Sequence, residues 1–368
     1  MKRRNNTITK AEFSKRLFIA SYVLLVFGAL LSQLGVSSVM TRMVDVICVV
    51  LAYFSLFLTL KKITLGKLFA IAAALMLSAC LIFATSMNSS IIQLFAFALA
   101  AKNIKMDKLV KLDLILKILL VALVFSFERL GIIQTREFLR DGVGSRSTFG
   151  FRHPNFAGLI FLNIYLDIIN IRKDKKLTNT LIAVPFYILI SAAIDSRSAS
   201  IGIVIAAIIQ WLKIEKVSSI AKKLVPATLI ITMSIISFYF MVCQMSPEVR
   251  KLDIVLSGRI RITRAFYSYY GVNLFGHEFE KYNRPDLGDQ FYVIDNAYAF
   301  VLIHNGVMIL VGICMYYIGR IKASLRGDHD ELFAALVAFA FVGLMERAML
   351  QPLHNPFLAI DSGEENKR

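Results

Sequence analysis

Long apolar runs, separated by short polar segments, recur along almost the whole chain. A helix needs about 20 apolar residues to cross a hydrocarbon core of roughly 30 Å. The pattern therefore predicts an all-α polytopic membrane protein with about 11 transmembrane helices. The predicted spans lie near residues 17–35, 43–60, 68–86, 90–101, 112–130, 155–171, 178–194, 199–212, 225–243, 296–318 and 331–350.

Positive charge between the spans predicts their orientation. Basic clusters occur near residues 61–67, 102–111, 172–176, 213–223 and 320–326, always separated by even numbers of spans. Because cytoplasmic loops carry an excess of Lys and Arg, these loops are expected inside the cell. The outer face then consists of residues 132–155, the tight turn 195–198, and a large loop at 244–295 between late helices.

The chain is therefore expected to form one membrane domain. Residues 1–16 are a basic cytoplasmic N-terminus, residues 17–360 form a single integral membrane domain, and residues 361–368 are a polar C-terminal tail. The first apolar run follows basic residues, as in a signal peptide. It is longer than a signal peptide's apolar region and no clear cleavage site follows, so it is expected to remain as the first helix.

Composition agrees with a lipid environment and excludes several classes of function. Hydrophobic residues make up 57% of the chain and charged residues only 18%, with a mean hydropathy of +0.65. The net charge of +17 does not indicate nucleic-acid binding, because the basic residues lie between apolar runs and not along one solvated face. The four cysteines lie in apolar segments without metal-ligand spacing, so neither a zinc site nor a disulfide framework is expected.

The outer regions are rich in arginine, whereas the cytoplasmic loops are mostly lysine. Arginine presents a planar fork of donors that can hold a phosphate or carboxylate at two points. The pattern therefore suggests an anionic substrate, although the same side chains could reach lipid headgroups or pair with nearby acids. The outer arginines are Arg136, Arg140, Arg146, Arg152, Arg197, Arg250, Arg259, Arg261, Arg264 and Arg284.

Arg197 differs from the others because it lies in a very short turn between two apolar runs. An unpaired charge there would be costly, so Arg197 needs a partner. That partner is Asp195 or a ligand phosphate, and we favour the phosphate.

One outer segment resembles a known family. Phe149-Gly150-Phe151 followed by His153-Pro154-Asn155, with Arg146 and Arg152 beside it, resembles the FGF-x-HPN motif of Wzy-type polysaccharide polymerases, in the O-antigen ligase-like superfamily. Pro154 and Asn155 also suit a helix start. Further features follow in the family's order: Ser196–Ser200, Ser257–Arg259, Leu274–Gly276, Asp295–Tyr298 with Gly306, and more weakly Gly343–Glu346 with Asn355.

The resemblance implies a GT-C-like glycosyltransferase in the cytoplasmic membrane that uses no nucleotide sugar, metal or other cofactor. Such an enzyme transfers a glycan from undecaprenyl pyrophosphate to the non-reducing end of another lipid-linked repeat on the outer face. Its partners would be these lipid-linked repeats, the lipid bilayer, and the flippase and chain-length regulator of the same pathway. An O-antigen ligase or a lipid-linked oligosaccharide flippase is the alternative.

The resemblance assigns roles to specific residues. Arg146, Arg152, Arg197 and Arg259 are the candidates to stabilise charge on the pyrophosphate leaving group, with Asn155 beside them in the motif. Arg261 and Arg264 share one helical face, but Arg259 and Arg261 do not, so at most two of these three are expected to meet one phosphate group.

The acceptor hydroxyl also needs a base near the membrane surface. Asp295 and His153 are the leading candidates, followed by His277 and Glu346. Asp295 could instead, or also, be the N-cap of a helix that begins near Asn296. O-antigen ligases commonly have a histidine where this sequence has Asp295.

Two further polar groups have plainer interpretations. Asp113 and Lys117 are four residues apart and are expected to pair on one helix face near the inner surface. Asp328-His329-Asp330 has the form of a metal-binding DxD motif, but it lies in a predicted cytoplasmic loop and is interpreted as a solvated turn.

Overall fold

A computed structural model describes residues 9–59, 89–101, 104–140, 144–279 and 293–359. Within these residues the chain is helical apart from one short β-hairpin. The helices are α1 Lys10–Gln33, α2 Ser38–Thr59, α3 Ser89–Ala100, α4 Met106–Arg129, α5 Pro154–Ile171, α6 Lys176–Ile188, α7 Arg197–Ile209, α8 Ser219–Val242, α9 Pro247–Val255, α10 Arg259–Tyr270, α11 Ala297–Phe300, α12 Val307–Arg326 and α13 Asp330–Val342. The strands are β1 Glu137–Arg140 and β2 Gly144–Ser147.

Helices long and apolar enough to cross a membrane agree with the expectation of a helical membrane protein. Six such helices occur in the described residues: α1, α2, α5, α6 with its π-helical extension to Ile194, α8 and α12. The shorter α3 and α7 are also apolar. The predicted span at 68–86 lies outside the described residues, and the total of about eleven spans stays a prediction.

The structure departs from the predicted spans at three places. The outer region 132–155, expected to be a loop, contains the antiparallel hairpin, in which Phe138 pairs with Arg146. The span expected at 296–318 is broken, because α11 ends in a π-helical turn, Val301–Asn305, and Gly306 separates it from α12. The α-helix expected to end near residue 350, α13, ends at Val342, and short 3-10 helices follow at Arg347–Leu350 and Pro356–Leu358.

The described residues divide into two compact units. The first contains residues up to Ala157 together with the segment from Gln351, and the second contains Gly158–Leu350. In the first unit α1 and α2 form a helical hairpin. Ser14 and Ser55 exchange hydrogen bonds of 2.8 Å with each other's carbonyl groups, as is common between helices in membranes.

The Phe149–Phe151 turn lies against α4 in the first unit. Gly150 has a φ of +79°, and a Cβ there would be only 3.0 Å from the Glu128 side chain and 3.1 Å from Val124. Glycine is therefore required both by the left-handed backbone and by the close approach. The flanking Phe149 and Phe151 rings both contact Phe125, which anchors this segment to α4 just before α5 begins at Pro154.

In the second unit, α13 is the central helix, buried along almost its full length. It packs chiefly against α7, while α7 packs against α5 through small residues. A Cβ at Gly158 would collide with the Ser196 side chain, and one at Gly202 would press on Leu162. This close packing fixes the start of α7, where Arg197 and Ser198 lie.

The broken segment between α11 and α12 is held by main-chain bonds to residues 273–277, which follow α10. His277 N–H donates to Ile303 O at 3.0 Å, and Val307 N–H donates to Asn273 O at 3.1 Å. Gly276 and Gly306 both have positive φ, and a Cβ on either would collide with the main chain of the other segment. The Leu274–Gly276 motif and Gly306 therefore meet in space.

Candidate functional site

The candidate site lies in the second unit and centres on Arg259, the first residue of α10. The guanidinium Nη2 forms an ion pair of 2.7 Å with Glu346 Oε1, and Nη1 donates to Leu256 O at 3.2 Å. Nε lies 3.6 Å from Asp295 Oδ2, too far for a hydrogen bond. The Arg259 side chain is 13% exposed, so the guanidinium is held from two sides and mostly withdrawn from water.

Glu346 orients this arginine from the turn that follows α13. Its side chain is 10% exposed, and Oε1 also accepts a 3.1 Å hydrogen bond from the hydroxyl of Ser198, in the first turn of α7. Burial raises the pKa of the Glu346 carboxyl above its usual range; Arg259 opposes the rise and Asp295 adds to it. Glu346 thus acts on Arg259 from within the protein and is not an exposed base.

Arg197 meets the same turn as Arg259. Its Nη1 donates to Val255 O at 2.6 Å, and Arg259 Nη1 donates to the next carbonyl, that of Leu256. The two guanidinium groups therefore converge on consecutive carbonyls of the α9–α10 turn. The Val255 carbonyl is thus one partner of the Arg197 guanidinium. The choice between Asp195 and a phosphate as its charged partner stays a prediction.

Asp295 is the accessible carboxylate of the site. Its side chain is 40% exposed beside the Arg259 guanidinium. The expectation that Asp295 caps the following helix is wrong: the N-cap of α11 is Asn296, whose Oδ1 accepts from Ala299 N–H at 2.9 Å. The Asn296 amide also donates to Ser237 Oγ at 3.0 Å. The cap of α11 therefore uses the Asn296 side chain and not that of Asp295.

The other arginines of α10 stay apart from this centre. Asp253 Oδ1 accepts from the main-chain N–H groups of Ile260 and Arg261, at 2.9 and 3.1 Å, and so caps α10. The Arg261 side chain is exposed, and that of Arg264 is half-buried further along the helix. In the described residues, neither guanidinium has a contact with the Arg259 centre.

His277 has a structural role in the segment that follows α10. Its carbonyl accepts a 2.7 Å hydrogen bond from His304 Nδ1, and its ring lies against Tyr270 and the Asn273 amide. Its contacts in the described part of the chain do not include Arg259, Asp295 or Glu346. The geometry therefore gives no support to His277 as the base.

The remaining predicted residues lie in the first unit. Arg146 is on β2, and Arg152 follows the Phe149–Phe151 turn with an exposed side chain. The Arg152 main-chain N–H donates to Gln33 Oε1 at 2.7 Å, and a cavity of about 180 Å³ beside it is lined by Arg136 and Arg152. His153 Nδ1 accepts from the Asn155 N–H at 3.1 Å, which places both residues at the start of α5.

Three features of the centre were missed by sequence reasoning. Ser198 was noted only as part of a motif, although it bonds to Glu346. Arg347 lies over the Phe300 ring, 4.8 Å from its centroid, and its charge partly opposes the rise in the pKa of the adjacent Glu346 carboxyl. The third feature is the pair of Val255 and Leu256 carbonyls, which no sequence pattern could indicate because they belong to the main chain. Arg347, in contrast, follows Glu346 directly in the sequence and could have been found.

The DxD-like segment is a set of ion pairs. Asp328 Oδ1 and Asp330 Oδ2 lie 2.7 Å from the Nζ atoms of Lys222 and Lys176, respectively. Asp330 Oδ1 also accepts from the Ile214 N–H at 3.3 Å. These carboxylates tie loops of the second unit together.

Comparison with protein-family models, with curated proteins and with solved structures gives no match.

Proposed function

We propose that this protein is a polysaccharide polymerase, which transfers a growing glycan from undecaprenyl pyrophosphate to the non-reducing end of another lipid-linked repeat. The observation that carries the proposal is the convergence of Arg197 and Arg259 on one turn, with the accessible Asp295 carboxylate 3.6 Å from Arg259. Two guanidinium groups suit the charge of a pyrophosphate, and the carboxylate suits a general base. The order of the Wzy-like motifs along the sequence supports the same activity.

In the proposed reaction, the acceptor hydroxyl oxygen attacks the anomeric carbon of the donor sugar. The new carbon–oxygen bond forms as the bond between that carbon and the pyrophosphate oxygen breaks, and the bonding electrons leave with the lipid pyrophosphate. Asp295 takes the hydroxyl proton. Arg197 and Arg259 stabilise the charge that grows on the leaving group, while Glu346 and Ser198 orient Arg259.

The number of spans and their orientation in the membrane are part of the same proposal. The chain would cross the cytoplasmic membrane about eleven times in a GT-C-like arrangement, with Arg197, Arg259 and Asp295 at the outer face. Flippase and chain-length regulator would be its pathway partners. In the first unit, Arg146, Arg152, His153 and Asn155 stay candidate site residues on the sequence resemblance alone.

The test is glycan length in a host that lacks its own polymerase but makes lipid-linked repeats. Wild type is compared with Arg259→Lys and Arg197→Lys, which keep the charge but lose the planar fork. Arg250→Lys is the matched control, because Arg250 is another outer arginine that donates to a carbonyl, that of Met245 at 3.1 Å. Protein levels in the membrane are measured for each variant.

A ladder of polymer from wild type and Arg250→Lys, reduced to single repeats in the other two variants at equal protein level, supports the proposal. If wild type makes no ladder but attaches single repeats to another acceptor, the protein is a ligase. If it only moves repeats across the membrane, it is a flippase. In either case the polymerase proposal is wrong.

A further inference from the structure

Apolar side chains are exposed at the end of α9, outside every candidate span. Ile254 is 75% and Val255 58% exposed, and the neighbouring Leu252 is also exposed. α9 has only 9 residues and is too short to cross a membrane, so these side chains are not explained by the lipid-facing surface of a transmembrane helix. Exposed apolar groups that cluster on a short surface helix commonly contact a membrane or an apolar ligand.

The same turn holds the two arginines of the candidate site. Val255 exposes its side chain while its carbonyl accepts from Arg197 Nη1, and the next carbonyl accepts from Arg259 Nη1. Exposed apolar side chains and two bound guanidinium groups therefore meet at one turn, Ile254–Leu256. A ligand that matches both is an amphiphile, with an anionic head for the arginines and an apolar tail for Ile254 and Val255.

We infer that the Ile254–Leu256 turn binds the isoprenoid tail of a lipid pyrophosphate. It would contact the part of the tail that lies next to the pyrophosphate head group. The identification of the head group as a pyrophosphate rests on the proposed function. Two guanidinium groups match the charge of a diphosphate better than that of the single phosphate of an ordinary phospholipid. The tail then leaves the head over Ile254 and Val255 toward the membrane.

The inference predicts that the affinity for isoprenoid pyrophosphates depends on the tail through these two side chains. The full chain in phosphatidylcholine nanodiscs is titrated with farnesyl pyrophosphate, isopentenyl pyrophosphate and inorganic pyrophosphate. Wild type should bind farnesyl pyrophosphate at least about tenfold more tightly than isopentenyl pyrophosphate, since each buried methylene contributes about 0.8 kcal/mol. In Ile254→Ser/Val255→Ser this preference should fall to within about threefold.

Two matched variants make the comparison specific. Leu130→Ser removes an equally exposed apolar side chain, 72% exposed, in the first unit, and should leave the preference unchanged. Ile254→Leu keeps the apolar surface and should also retain the preference for farnesyl pyrophosphate. Arg197→Lys should weaken the binding of all three pyrophosphates by similar factors, since it acts on the head group.

The inference would be overturned if Ile254→Ser/Val255→Ser kept the wild-type preference for farnesyl over isopentenyl pyrophosphate while it eluted as wild type on size exclusion. It would also be overturned if phosphatidylglycerol in the nanodisc competed as well as farnesyl pyrophosphate, because the turn would then be a general lipid contact. Binding is measured without turnover, so a failure of the polymerase proposal is seen separately in the glycan ladder.

Discussion

A buried ion pair in the first unit allows a quantitative test of the packing. Lys117 Nζ is hydrogen-bonded to Asp113 Oδ2 one turn earlier on α4, and both side chains are fully buried. The Tyr22 hydroxyl donates to Asp113 Oδ1 at 2.6 Å. The pairing itself was predicted from the sequence, whereas the extent of burial was not. Removing one partner of such a pair leaves an uncompensated charge and costs about 3–5 kcal/mol.

We therefore expect Lys117→Met to destabilise the protein by about 3–5 kcal/mol, which corresponds to a fall of roughly 6–20 °C in Tm for a unit of this size. Asp113→Leu/Lys117→Met removes both charges and should lie within about 1 kcal/mol of wild type or above it. Thermal unfolding in detergent, followed by size-exclusion chromatography, measures both variants. Arg16→Met is the control, because the Arg16–Glu12 pair has the same spacing but is exposed and should contribute less than about 0.5 kcal/mol.

The double variant decides whether the reasoning holds. If it is as unstable as Lys117→Met, uncompensated charge is not the cause of the loss. The side chains would then matter through their shape or through the Tyr22 hydrogen bond.

Three further predictions concern the second unit. Because the pKa of Glu346 is raised, this carboxyl takes up a proton, and loses its ion pair with Arg259, at a pH closer to neutrality than an ordinary carboxyl would. Polymer yield should therefore fall as the pH drops below neutrality. Glu346→Gln should lower the activity and remove this fall from the pH profile. Gly276→Ala should cost at least about 2–3 kcal/mol in thermal unfolding, because it adds a main-chain collision to a positive φ, whereas Gly35→Ala, with positive φ but open space, should cost about 1 kcal/mol. Asn296→Ala should cost about 1 kcal/mol by loss of the α11 cap, and a smaller effect would show that the cap contributes little.

Much of the helical framework follows from local sequence. Apolar runs placed α1, α2, α5, α6 and α8 to within about seven residues at either end, because a membrane helix must satisfy its own backbone and its length follows from the bilayer. Pro154 marked the start of α5 correctly. The β-hairpin was missed because its eight strand residues carry no strong alternation.

The site could be predicted only in its parts. Arg259 and Arg197 were singled out as residues suited to an anionic substrate, and Asp295 and Glu346 as candidate bases. Their grouping depends on contacts between residues up to 148 positions apart, as between Ser198 and Glu346, which no local pattern encodes. The choice of Asn296 over Asp295 as the cap depends on a one-residue difference in where α11 begins, and sequence patterns do not resolve helix ends that finely.

The bonds between residues 273–277 and 303–308 have a consequence for how this sequence can vary. They join main chain to main chain, so they do not depend on which side chains flank them. Leu274 and Phe275 both point their side chains away from the packed interior, and Phe275 is among the most exposed hydrophobic residues described. Evolutionary change at these two positions should be tolerated by the fold, whereas Gly276 and Gly306 should persist in any chain that keeps this break between its late helices.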